Sequence, residues 1–186
     1  VEKTLEGMTR EEKAGHLFCI SPQGLERETI VEQLKLKPCG LMLRPFDSKD
    51  VVDAVNLINE ISDVPMLLAA DLEKGANGIS NQGTTMGSPL AIAATDDAEY
   101  AYKLGEVCAE EGRALGLNWT FGPIVDINVN PFNPITNVRT FGSDKDRVKK
   151  MGLAYIEAAQ SRGMAASAKH FPGDGIDFRD QHIVGT

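Results

Sequence analysis

Five short apolar runs recur along the chain: His16–Ile20, Cys39–Leu43, Met66–Ala70, Leu117–Phe121 and Met164–Ala168. Each is nearly continuous and bounded by Pro, Gly or charge, the pattern of a strand covered on both faces. The segments between them carry helix signals. Thr9-Arg10-Glu11-Glu12 fits a capping box ahead of a short first helix. Ser48 is placed to cap a helix on which Val51, Val55 and Ile58 share one face, ending near Pro65. Asp96 with Glu99 opens a long helix through about Leu115, and Asp144 precedes another in which Val148, Met151, Tyr155 and Ala158 recur at helical spacing.

Such alternation means parallel strand pairing with right-handed crossovers, an α/β fold. Two architectures satisfy it: a doubly wound sheet and a (β/α)8 TIM-type barrel. A complete barrel takes about 250 residues, and this chain has 186 with five strand units. On the barrel reading it holds only about the first five β/α units, and residues 1–186 are the N-terminal part of one domain. Composition and periodicity leave the choice open.

Apolar residues make up 42% and charged residues 25%, the balance of an ordinary globular chain. A formal charge of -8 and a pI near 4.9 exclude nucleic acid as the main partner, because phosphate binding needs a basic face. No apolar run approaches the roughly 20 residues that span a bilayer, so no membrane partner is expected. Val1-Glu2-Lys3 lacks the start of a signal peptide, and the expected location is cytoplasmic. Cys19, Cys39 and Cys108 are scattered and odd in number, which fits neither a disulfide framework nor a zinc site.

The chemistry concentrates after the fifth run. Lys169-His170-Phe171-Pro172-Gly173-Asp174-Gly175, then Asp177 and Asp180-Gln181-His182, gathers a lysine, two histidines and three carboxylates into fourteen residues built for a turn. Polar groups on a loop at a strand's C-terminal end are where α/β enzymes place their reactive side chains. Asp180 and His182 are two apart, so in an extended stretch they point the same way. A carboxylate accepting from imidazole gives an acid or base that works near neutrality; a solvated loop pair is the alternative. Lys169 and His170 end a strand, where adjacent residues face opposite ways unless the mouth twists. Asp71 and Glu73 follow the small pair Ala69-Ala70 and suit a sugar's hydroxyls, or Asp71 is a turn former. Arg139 can donate bidentately to a ligand, or pair with Asp126 or Asp144. His170, Asp174 and His182 match none of the common metal spacings, and no phosphate-cradling glycine motif is present. Neither metal nor cofactor is expected.

These residues resemble a known family. Lys169-His170-Phe171-Pro172-Gly173-x-Gly175 followed by Asp180-x-His182 resembles the signature of family 3 glycoside hydrolases, in their bacterial β-N-acetylglucosaminidase branch. Met8-Thr9-x-x-Glu12-Lys13-x-Gly15, Asp71-x-Glu73-x-Gly75, Phe121-x-Pro123-x-Val125-Asp126 and Arg139-Thr140-Phe141-Gly142-Ser143-Asp144 extend the likeness over nearly the whole chain. The resemblance implies the barrel and a retaining, exo-acting hydrolysis of terminal β-linked N-acetylglucosamine through a covalent glycosyl-enzyme. It makes His182 the acid/base with Asp180 as its partner, and gives Asp71, Arg139, Lys169 and His170 the sugar. The family's nucleophile, an Asp of a later strand, lies outside residues 1–186. An incomplete barrel leaves an exposed edge, so self-association through it is expected. Asp174 stands where the branch most often has His, and Ala76 and Ile79 stand where many members have arginines. Those departures keep three alternatives in view: a family 3 β-glucosidase, a glycoside phosphorylase, or a non-catalytic carbohydrate-binding fragment.

Overall fold

The computed structural model describes residues 1–183. Its frame is one sheet of five strands in chain order: β1 (Cys19–Ile20), β2 (Gly40–Met42), β3 (Leu67–Ala70), β4 (Trp119–Thr120) and β5 (Ala165–Ala166). Every pairing is parallel, with Cys19 opposite Gly40, Gly40 opposite Leu67, Ala69 opposite Trp119 and Trp119 opposite Ala165. A doubly wound sheet reverses its strand order at a switch point; here each strand is simply added beside the last. The fold is five β/α units of a TIM-type barrel, which resolves the choice that periodicity left open.

The strands occupy the centres or ends of the predicted runs. In the first run the helix wins three residues. The capping box at Thr9 forms, with Glu12 N–H on Thr9 Oγ1 and Thr9 N–H on Glu12 Oε2. It launches α2 (Arg10–Gly15), whose hydrogen bonding reaches the His16 N–H, so Leu17 and Phe18 form an exposed turn and pairing starts at Cys19. Two unpredicted helices, α1 (Glu2–Gly7) and α3 (Arg27–Leu34), bury little: none of α1's residues and only Ile30 of α3. A third, α5 (Pro89–Ala93), is capped by Ser88.

Two caps shift by one residue. Asp47, not Ser48, caps α4 (Ser48–Ile61), accepting from Lys49 N–H. Asp97, not Asp96, caps α6 (Ala98–Ala114), accepting from Glu99 N–H. Asp144 caps α7 (Lys145–Ser161) as expected. The predicted apolar faces are buried: Val51, Val55 and Ile58 on α4, and Val148, Met151, Tyr155 and Ala158 on α7.

One core lies between sheet and helices. Leu41 and Leu43, Leu68 and Ala70 join it, as alternate strand positions must if they share a face, while Met42 and Ala69 between them do not. Helices α6 and α7 pack closely because Gly105 has no side chain; a Cβ there would sit 2.4 Å from the Tyr155 carbonyl oxygen. No helix among the described residues is long and apolar enough to cross a membrane.

Candidate active site

The C-terminal ends of the strands carry the polar groups, and the core sets their direction. After β3 the chain runs Asp71-Leu72-Glu73, with Leu72 fully buried. Its carbonyl accepts from Tyr155 Oη of α7 at 2.6 Å and from Cys108 Sγ of α6 at 3.1 Å. Burial pushes the Tyr155 hydroxyl well above its ordinary pKa, so it stays a donor. With Leu72 tied inward, Asp71 and Glu73 on either side meet cations at the mouth.

Lys169 Nζ donates to Asp71 Oδ1 at 2.7 Å and lies 2.9 Å from Glu73 Oε1. Arg139 grips Glu73 through Nε at 2.9 Å and through a terminal nitrogen at 2.8 Å, and also donates to the Ile135 carbonyl. Arg44, following β2, reaches Asp71 Oδ2 at 3.2 Å. Burial alone would raise the Glu73 carboxyl, but Arg139 and Lys169 outweigh it and hold its pKa below the ordinary value. The hydrogen bond to Glu73 likewise raises Arg139. Arg139 is therefore paired, as one of the alternatives held, but with Glu73 rather than Asp126 or Asp144.

Lys169 and His170 are joined by a cis peptide and go to different partners. His170 Nδ1 lies 2.7 Å from Asp126 Oδ2, and the His170 backbone N–H meets the same oxygen. Asp126 Oδ1 accepts from the Asp174 N–H. The loop after β5 is latched to the loop after β4 at further points. Asn130 N–H donates to the Gly175 carbonyl, and Asn133 Nδ2 donates to the carbonyls of Asp174 and Asp177. The two loops touch so closely that a Cβ at Gly175 would fall 1.8 Å from the Ile127 carbonyl oxygen. His170, Asp126, Ile127, Phe171, Pro172 and Ile176 line a hollow of about 360 Å³ between them.

Asp180 and His182 form the expected pair. His182 Nδ1 lies 2.7 Å from Asp180 Oδ1, which also accepts the His182 N–H at 2.8 Å. Those two hydrogen bonds, the backbone one first, lower the Asp180 pKa. The His182 side chain is 69% exposed, against 33% for His170. Among the described residues neither Asp180 nor His182 bonds to the Asp71 cluster: Lys169 joins Asp71 to Glu73, Glu73 brings in Arg139, and the Asp180–His182 pair stays separate. No group of His, Cys, Asp and Glu among the described residues is arranged to hold a metal ion.

Sequence reasoning missed two participants. Arg44 directly follows the second apolar run, at the C-terminal end of a strand as Lys169 is, and that position is the signal by which it could be found. Asp126 enters the sequence reading as a candidate partner for Arg139 and as the end of the Phe121-x-Pro123-x-Val125-Asp126 motif; nothing local announces its contact with His170, 44 positions away.

Residues 9–185 match the model of the glycosyl hydrolase family 3 N terminal domain. The chain is 43% identical over its whole length to a "Beta-N-acetylglucosaminidase/beta-glucosidase" of Cellulomonas fimi, covering 33% of that protein. It is 37% identical to "Beta-hexosaminidase A" of Pseudoalteromonas piscicida over 65% of this chain and 21% of that one. Among solved structures, "Beta-glucoside phosphorylase BglX bound to 2FGlc" superposes with a TM-score of 0.89 at 42% identity, covering 97% of this chain and 33% of that one. A family 3 β-N-acetylglucosaminidase from Paenibacillus sp. str. FPU-7 does so at 0.83 and 32%, covering 95% of this chain and 35% of that one. The chain thus spans about a third or less of the length of these relatives.

Proposed function

The chain belongs to glycosyl hydrolase family 3, and on that footing we propose that it carries the acid/base and sugar-holding side of a retaining, exo-acting β-N-acetylglucosaminidase. In this reading residues 1–186 are the N-terminal part of the catalytic barrel: five strands are found among the described residues, where a closed barrel has eight. Asp71, Arg139, Lys169 and His170 hold the terminal sugar. The nucleophilic carboxylate comes from a later strand.

The observation that carries the proposal is the Asp180–His182 contact at 2.7 Å on the loop beyond β5. With Nδ1 committed to Asp180, His182 presents Nε2. As imidazolium it gives a proton to the glycosidic oxygen while a carboxylate attacks the anomeric carbon. As neutral imidazole it then takes a proton from the water that frees the sugar, restoring both groups. Asp180 stabilises the cation in between.

His182→Ala, made in the protein that contains the complete barrel, is expected to slow cleavage of an aryl β-N-acetylglucosaminide by ~10²–10⁴-fold. An unchanged rate removes His182 from the mechanism. Residues 1–186 alone are expected to bind N-acetylglucosamine weakly and to cleave nothing.

A second reading, phosphorolysis of β-glucosides, is favoured by the likeness to the β-glucoside phosphorylase. An imidazole acid/base does not repel an incoming phosphate as a second carboxylate would. Aryl glucosides and N-acetylglucosaminides, each assayed with and without phosphate, separate the two. Exposed Phe171, Ile176, Phe178 and Ile183 follow β5, the last strand in the sheet order, and support self-association through the exposed edge of the incomplete barrel; three free thiols go with a reducing, cytoplasmic setting.

A further inference from the structure

The molecule holds a second carboxylate–imidazole pair, built quite differently from the first. Asp180–His182 lies on one loop and is open to solvent. Asp126–His170 bridges two strand ends, and the Asp126 side chain has no exposure at all. A buried carboxylate is costly unless its oxygens are hydrogen-bonded. Here both are: Oδ1 takes the Asp174 N–H at 2.7 Å, and Oδ2 takes the His170 N–H at 3.1 Å and faces Nδ1 at 2.7 Å.

We propose that Asp126 is a positioning residue that fixes His170 as its Nδ1–H tautomer, so that Nε2 meets a ligand as a hydrogen-bond acceptor. A carboxylate only accepts, and both oxygens already receive backbone N–H groups that only donate. The proton between Asp126 and His170 therefore belongs to Nδ1. Nε2 bonds to nothing among the described residues, and His170 lines the 360 Å³ hollow. Other charged groups nearby are engaged elsewhere: Lys169 with Asp71 and Glu73, and the Asp174 carboxylate with Gln181. The group that neutral Nε2 accepts must be a donor. A sugar hydroxyl qualifies; an ether oxygen or a fluorine does not.

The ligand half of this inference rests on the sugar-binding reading above; the tautomer does not. Long-range ¹H–¹⁵N spectra of the imidazoles test it directly, because the chain has three histidines and His170→Gln assigns the signal. The wild type is expected to show the Nδ1–H pattern for His170 at a pH where the ring is neutral. Asp126→Ala removes both acceptors, and an imidazole without an orienting partner favours the Nε2–H form. It is expected to shift His170 toward the Nε2–H tautomer and to weaken N-acetylglucosamine binding about 10-fold or more by calorimetric titration, as loss of a histidine's orienting partner does at metal sites. An Nε2–H tautomer in the wild type overturns the assignment, and that spectrum decides even if Asp126→Ala does not fold. An unchanged tautomer in a folded Asp126→Ala overturns the positioning role. The expected tautomer with no sugar binding in the wild type refutes the sugar-holding reading instead.

Discussion

Tyr155→Phe tests how firmly the core holds the mouth. The ring stays and no cavity larger than one oxygen opens, so the perturbation is the loss of one buried hydroxyl. That hydroxyl donates to the Leu72 carbonyl at 2.6 Å and lies 3.3 Å from Thr120 Oγ1, which is itself fully buried. Removing it leaves two polar groups short of a partner: Thr120 Oγ1 loses its contact, and the Leu72 carbonyl loses one donor of two. Leaving a buried polar group without its partner costs about 1–3 kcal/mol. Leu72 keeps the weaker thiol donor of Cys108, so its share falls at the low end and the total is about 2–3 kcal/mol. In a domain of this size that lowers Tm by about 5–10 °C, measurable by circular dichroism or calorimetry. Thr120→Val added to Tyr155→Phe removes the second stranded group and is expected to recover part of the loss, which an additive pair of mutations would not do. Because the same carbonyl sits between Asp71 and Glu73, affinity for N-acetylglucosamine is expected to drop as well. A Tm within about 1 °C of wild type would refute the argument that Tyr155 anchors this loop.

Two further outcomes follow from the same geometry. Gly105→Ala gains about 1 kcal/mol of helix propensity but drives a Cβ to 2.4 Å from the Tyr155 carbonyl oxygen, at an overpacking cost of about 1–3 kcal/mol; thermal melts are expected to show net loss, and a raised Tm would contradict the close α6–α7 approach. Glu73, whose folded pKa is depressed, contributes its stability above the unfolded value of about 4.5 and loses it as pH falls through the folded one. The urea-unfolding gap between wild type and Glu73→Gln is therefore expected to be flat from pH 7 to about 5 and to shrink in more acid solution; a gap that widens on acidification would reverse the sign.

What the sequence made legible was local. All five runs contain a strand, and Thr9 and Asp144 cap the helices assigned to them, because apolar runs and caps act through neighbours in the chain. The one-residue errors at Ser48 and Asp96 have the same origin. Each stands beside another capping side chain, and only the backbone decides which oxygen faces the first-turn N–H groups. Helices α1 and α3 carried too little apolar pattern to announce themselves. At the site, the positions of Asp71, Lys169 and His170 at strand ends could be read, and so could the Asp180–His182 pair, two residues apart. The partners of Arg139 and His170 could not. Glu73 lies 66 residues from Arg139, and Asp126 lies 44 from His170. Strand order and register bring them together, and no spacing rule encodes that.

The helical layer therefore belongs to the site as much as the loops do. Leu72 is held from outside the sheet by Tyr155 and Cys108, and Tyr155 reaches it because Gly105 lets α7 lie close against α6. Asp144, which caps α7, ends the same loop that delivers Arg139 to Glu73. A shift of α7 would move the Tyr155 anchor and the end of the Arg139 loop together, altering both ends of the Glu73–Arg139 contact. Substitutions on the buried faces of α6 and α7, remote from any ligand, should then lower sugar affinity along with stability. Equal losses on the solvent-facing side of those helices carry no such expectation, since that side touches neither anchor.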